Sequence, residues 1–241
     1  MRVLVTSDYR TLSEEAAELI ARAVRTRPGL TLGLPTGNTP LGMYQELVRK
    51  HLHEGLDFSR VRAFNLDEYL GLARDHPQSY HSYMRARLFD QVNLQRENTD
   101  IPDGTPGIDA DAECDRYENA IRDAGGIDLL IVGIGANGHI AFNEPGSSFD
   151  SRTRVVSLAP GTIANARKYF ASEGEVPRSA ITIGIRTILD ARRILLLASG
   201  RKKAEAVERT LRDPVSESLP ASALQLHPDV IAILDEAARG H

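Results

Sequence analysis

Apolar residues along the chain follow two rhythms. Eight short runs are apolar almost throughout: RVLVT (2–6), LTLGL (30–34), VRAFNL (61–66), IDLLIVGI (127–134), RVVSL (154–158), AITIGI (180–185), RILLLA (193–198) and DVIAIL (229–234). Several lack polar alternation, which predicts strands covered on both faces in a mostly parallel sheet. Between them lie longer amphipathic stretches: EEAAELIARAV (14–24), PLGMYQELVRKHL (40–52), SYHSYMRARLFDQV (79–92), ADAECDRYENAIRDAG (110–125) and KKAEAVERTLR (202–212). These predict helices, the first opened by a capping box at TLSE (11–14) and the second by Thr39 as N-cap with Pro40 in the first turn.

Alternating strands and helices point to an α/β fold, doubly wound, with helices on both faces of a mostly parallel sheet. Ligands of such sheets gather at the carboxyl ends of strands, so chemistry is expected in the loops that follow strands. No repeat or linker divides residues 1–241, which favours a single α/β domain. Two connections are longer and loop-rich, LGLARDHPQSYHS (70–82) and APGTIANARKYFASEGEVPRS (159–179); the second is a candidate lid.

Composition narrows the partners. With 29 basic and 33 acidic residues the net charge is −4, which argues against a nucleic-acid surface. No run approaches the roughly 20 apolar residues of a membrane span, and the amino terminus lacks a secretory pattern. Cys114 is the one cysteine and falls in a predicted helix, which fits a reducing, cytoplasmic setting and an unreactive thiol.

Three loops carry possible anion-binding groups. PTGNTP places Thr36, Gly37, Asn38 and Thr39 before a helix, where orphan N–H groups and the helix dipole favour phosphate; a plain strand-to-helix turn reads the same way. In SGRKKAEA, Lys203 falls in a first helical turn, an unfavourable place for a cation unless an anion compensates. Arg167, in the candidate lid, is a third such cation.

Acid–base groups sit on two others. Asp67 and Glu68 follow an apolar strand, where neighbours point to opposite faces, so at most one looks into a site; partial enclosure by Phe64, Leu66 and Leu70 would raise its pKa. GIGANGHIAFNEP (133–145) presents His139 in a glycine-rich turn with Asn137 and Glu144 as groups able to orient it. A metal site would require further ligands, and neither HExxH nor a Cys/His cluster occurs.

Taken in order, LGLPTGNTP, FNLDEYLGL, GIGANGHIAFNEPGSS, SRTR, ANAR, SGRKKAEA and ASALQLHPDV resemble the glucosamine-6-phosphate deaminases of the glucosamine-6-phosphate isomerase family, from about residue 30 to 236. The resemblance implies a Rossmann-like sheet and conversion of glucosamine 6-phosphate and water to fructose 6-phosphate and ammonia, in amino-sugar catabolism, without cofactor or metal. It implies Asp67 as the base at the sugar carbons, His139 as the group that protonates the ring oxygen, Glu144 holding the imidazole, and phosphate on Gly37, Asn38 and Thr39 clamped by Arg167 and Lys203. Many relatives have aspartate in place of Asn137, so Glu144 is expected to be the chief support of the histidine. Regulated relatives carry two basic residues two apart where this chain has Arg154 and Val156, and a longer carboxyl-terminal tail; activation by N-acetylglucosamine 6-phosphate is therefore expected to be weak or absent. Rival readings are a 6-phosphogluconolactonase-like hydrolase, whose loop does not continue as FNEP, and a sugar-phosphate-sensing regulator, which would add a DNA-binding segment. Monomer and homo-oligomer both remain open.

Overall fold

The computed structural model describes residues 1–240; His241 and the Asn165 side chain lie outside what is described. In chain order the elements are β1 (Arg2–Thr6), α1 (Tyr9–Thr26), β2 (Thr31–Leu34), α2 (Leu41–Glu54), β3 (Arg62–Asn65), β4 (Asp67–Tyr69), α3 (Tyr80–Arg87), β5 (Thr99–Asp100), α4 (Ala110–Asp123), β6 (Leu129–Gly133), β7 (Arg154–Ser157), α5 (Pro160–Arg167), β8 (Ser179–Thr182), α6 (Ile185–Leu189), β9 (Ile194–Ala198), α7 (Ala204–Arg212), β10 (Val230–Asp235) and α8 (Glu236–Arg239). Seven strands make one sheet in the order β1-β10-β9-β6-β2-β3-β5, parallel throughout.

Both faces of this sheet are covered, which is why its strands read as unbroken apolar runs. In β6, Leu129 and Ile131 face the core built with α1 and α2, while Leu130 and Val132 face the core built with α4 and α7. The chain steps from β2 outward through β3 to β5, then restarts at β6 and steps the other way through β9 to β10. The order therefore reverses between β2 and β6, and the crevice above that point is where ligands bind in such sheets.

Three expectations need correction. The runs at 154–158 and 180–185 do not enter the main sheet: β8 pairs antiparallel with both β7 and β4 in a separate sheet, β4-β8-β7. A short apolar run specifies a strand but not its partner, and Asp67–Tyr69 is too short and polar to announce itself. The first helix starts earlier than TLSE, because the Asp8 carboxylate caps it by accepting from the Thr11 N–H at 2.8 Å and from the Thr11 hydroxyl. The second starts later: Pro40 is the cap, with its carbonyl accepting from Tyr44 N–H at 2.9 Å, and Thr39 makes no capping bond.

Residues 159–179 are less loop-like than expected. Pro160 occupies the first turn of α5, where its missing N–H costs nothing. This segment packs on an apolar cluster of its own, in which Ala166, Phe170 and Val176 meet Tyr69, Leu72 and Leu158. Cys114 is buried in α4, and burial pushes its thiol up to about 11, which makes it a poor nucleophile.

Candidate active site

Four adjacent strands, β9, β6, β2 and β3, deliver the predicted chemistry from their carboxyl ends. Lys203 follows β9, His139 follows β6, Gly37 and Asn38 follow β2, and Asp67 follows β3. A cavity of about 640 Å³ is lined by Gly37, Asn38, His139 and Lys203, closed by Thr162 and Ala166 of α5, and walled by Tyr69, Tyr80, Phe142 and Phe170. A second hollow, of about 460 Å³, opens at the opposite end of the sheet; its Arg27 and Arg192 are paired with Asp128, and its Arg193 with Asp229.

The anion groups do not all meet. Gly37 has φ +97°, a conformation that favours glycine, and its carbonyl accepts from the Tyr83 hydroxyl at 2.6 Å. Thr39 faces a neighbouring hollow with Tyr9 and Ser199, and Thr36 is half-buried with its side chain against the Tyr80 hydroxyl. Lys203 lies at the cap of α7 and not inside its first turn. Its ammonium is half-buried, has no acidic partner among the described residues, and is pushed below the usual lysine value by that burial. Arg167 does not line the cavity: its guanidinium donates to the Phe170 carbonyl at 3.0 Å within the 159–179 segment.

At the relay, Gly135 matters because a β-carbon there would collide with the His139 ring. Asn137 Oδ1 accepts from both the backbone N–H and the Nδ1–H of His139, at 3.2 and 2.8 Å. Its Nδ2 donates to Glu144 Oε2 at 2.7 Å, and an ionised carboxylate can only accept, so the amide orientation and the Nδ1–H tautomer follow together. Glu144 Oε1 stands farther from Nδ1, at 3.5 Å, and accepts from the Thr162 hydroxyl at 3.2 Å. The expectation that Glu144 itself holds the imidazole thus gives way to Asn137 as the closer partner. His139 is the first cause, and Asn137 a further one, of a Glu144 pKa below the usual carboxylate value, against the opposing effect of burial. Asn137→Ala is accordingly expected to lower kcat by about tenfold and at least as much as Glu144→Gln, a comparison steady-state rates would settle.

Asp67 is 6% exposed and meets no hydrogen-bond donor among the described residues. Burial, and then the charge of Glu68, push its carboxyl up to about 8. It is not among the residues that line the cavity, but Tyr69 and Tyr80, which do, have hydroxyls that feel its charge. Glu68 points the other way and accepts from the N–H groups of Tyr69, Tyr80 and His81, which seats the amino end of α3; burial pushes it up to about 7 against those donors. Asp67, Thr182 and Arg154 form one row across the small sheet, and opposed side chains of antiparallel strands share a face. The 139–147 loop packs there, with Phe142 N–H donating to the Thr182 hydroxyl at 3.2 Å. Ala141, at φ 52°, is the non-glycine residue with positive φ among those described, so the loop is strained where it turns into this contact.

The aromatic wall and Thr162 were missed from sequence. The available signal was the concentration of Tyr69, Tyr80, Tyr83, Tyr169 and Phe170 in and beside the two long connections.

A parallel sheet that gathers a helix-leading turn, a half-buried lysine, a histidine relay and a buried carboxylate at its switch point has the ligand crevice of an α/β protein. The chain belongs to the family of glucosamine-6-phosphate isomerases and 6-phosphogluconolactonases, whose sequence model matches residues 7–232. Within it, the glucosamine-6-phosphate deaminase of Thermoanaerobacter pseudethanolicus is 48% identical over 238 residues, covering 99% of this chain and 94% of that protein. That of Halothermothrix orenii is 51% identical, covering 99% and 98%. A solved structure of a monomeric glucosamine-6-phosphate deaminase superposes with TM-score 0.96 at 46% identity, covering 99% of both chains. The 6-phosphogluconolactonase of Leishmania guyanensis, at 23% identity and TM-score 0.79, shares the fold.

Proposed function

We propose that this protein is an enzyme that isomerises and deaminates glucosamine 6-phosphate, yielding fructose 6-phosphate and ammonia with uptake of one water. The observation that carries the reading is the delivery of Lys203, Gly37 and Asn38, His139 and Asp67 from four neighbouring strand ends, the first four of these residues lining one cavity. High identity to deaminases over almost the whole chain supports it.

Phosphate would rest on the N–H groups of the Gly37–Asn38 turn and the Lys203 ammonium, a cation that burial makes costly and that has no acidic partner among the described residues. The free Nε2 of His139 would take the proton of the anomeric hydroxyl and return it to the ring oxygen, opening the pyranose. Asn137 and Glu144 would steady the transient imidazolium. Asp67 would then remove the proton at carbon 2 of the aldehyde, form an enolamine and return the proton to carbon 1. Water would replace nitrogen in the resulting imine, releasing ammonia. A carboxyl near 8 suits a base working around neutrality. The α5 segment would act as the lid, with Thr162 reporting closure to Glu144.

A reducing cytoplasmic setting fits the buried Cys114, and no described helix is long and apolar enough to cross a membrane. Ammonia release from glucosamine 6-phosphate, compared with its N-acetylated form and with 6-phosphogluconolactone, tests the reading. Release from the first alone is expected, whereas hydrolysis of the lactone without ammonia release would replace it.

A further inference from the structure

We infer that Arg154 is a positioning residue for the reaction, holding the backbone of Glu144 and the 140–147 loop against the small sheet that carries Asp67. The inference rests on the function proposed above. Arg154 is half-buried in β7 and has no carboxylate within ion-pair distance among the described residues. A half-buried guanidinium with no anion among the described residues is costly to keep, so its position calls for an account in terms of what it touches.

Its contacts converge on either side of Glu144. Arg154 Nη1 donates to Asn143 Oδ1 at 2.8 Å and, less closely, to the Arg152 carbonyl at 3.5 Å. Nη2 donates to Ser147 Oγ at 3.3 Å, and the Ser147 hydroxyl in turn donates to the Glu144 carbonyl at 2.7 Å. Asn143, fully buried, spends its two amide hydrogens on the carbonyls of Ile140 and Ile183, at 3.1 and 2.9 Å. One cation therefore ties the residue before Glu144, the carbonyl of Glu144 and the residue that follows β8 into a single network. The turn being held contains the strained Ala141, which would relax if released.

The row Arg154–Thr182–Asp67 gives this network its consequence. Because Arg154 sits two strands from Asp67 on the same face, bracing the loop from Arg154 sets the relay relative to the base. A misplacement of about 1 Å between reacting groups is enough to cost on the order of 10²-fold in rate. The groups suited to phosphate lie on other loops and are untouched by this brace.

The test uses Arg154→Met, Arg154→Lys, Ser147→Ala and Arg152→Met in the full chain, with ammonia release as the assay after wild-type activity is established. Failure of wild type to release ammonia would count against the proposed function; the brace is judged on the variants of an active enzyme. Arg154→Met is expected to lower kcat by about tenfold or more with KM within about twofold. Arg154→Lys, keeping one donor of the fork, recovers part of that loss, and Ser147→Ala loses about threefold. Arg152→Met, whose guanidinium pairs with Asp190 and Glu118, serves as the exposed neighbour and changes nothing. In a Glu144→Gln background, Arg154→Met is expected to cost less than about twofold, because both act through one group. If Arg154→Met unfolds, Ser147→Ala and Arg154→Lys carry the same comparison. Full additivity with Glu144→Gln, a KM effect alone, or unchanged kcat in Arg154→Met or Ser147→Ala would overturn the inference.

Discussion

Replacing Asp67 by asparagine is expected to stop deamination, lowering kcat by roughly 10²–10⁴-fold while KM for glucosamine 6-phosphate changes by about twofold or less. The buried carboxylate is not one of the groups suited to phosphate, so its loss removes proton transfer and leaves capture intact. The same substitution is expected to stabilise the fold. Desolvation first, and Glu68 second, push this carboxyl up to about 8, so the folded chain retains a proton that the unfolded chain gives up near pH 4. Stability contributed at this position therefore falls as pH rises from about 4 to about 8 and is flat above. Asp67→Asn removes that slope, and thermal melts above pH 8 should show a rise in Tm of a few degrees. In wild type, kcat/KM should climb with pH toward about 8, since only the ionised carboxylate can act as base. An acid limb near pH 4, with no stability gain in the variant, would show that Asp67 is solvated and ordinary.

Lys203→Ala is expected to raise KM by roughly 10- to 100-fold with a much smaller change in kcat, as removal of a charge-assisted hydrogen bond usually costs 1.5–3 kcal/mol. The magnitude follows from the half-buried ammonium, which has no acidic partner among the described residues, in contrast to a surface lysine such as Lys202, whose loss should go unnoticed. Inorganic phosphate should raise the Tm of wild type and not of Lys203→Ala, because a ligand stabilises only the state it binds. Equal phosphate shifts in both proteins would remove Lys203 from the site.

The large sheet was legible because its central strands are buried on both faces and carry no polar interruption. Leu195 to Leu197 and Ile231 to Leu234 could hardly be anything else. The small sheet was not, since β7 alternates half-buried and exposed residues over only four positions, and β4 consists of Asp67, Glu68 and Tyr69. Nothing local tells Arg154 that Thr182 and then Asp67 lie beside it. His139 and Asp67 could be read from their strand-end positions and motifs, and the opposite orientation of Glu68 from strand geometry. The precedence of Asn137 over Glu144 could not, because it depends on a difference of 2.8 against 3.5 Å set by a tight turn. Arg167 illustrates the converse: its charge suited a phosphate clamp, yet its nearest acceptor is the carbonyl three residues on.

The central claim is spatial: one cavity seats the phosphate at the Gly37 turn and Lys203 while offering the sugar ring to His139 and its first two carbons to Asp67. A crystal structure of the Asp67→Asn variant holding unreacted glucosamine 6-phosphate tests it most directly. The phosphate is expected against the Gly37–Asn38 backbone and Lys203, with the ring oxygen near His139 and carbon 2 turned toward position 67. A phosphate seated away from Lys203, or carbons 1 and 2 directed away from position 67, would contradict the account.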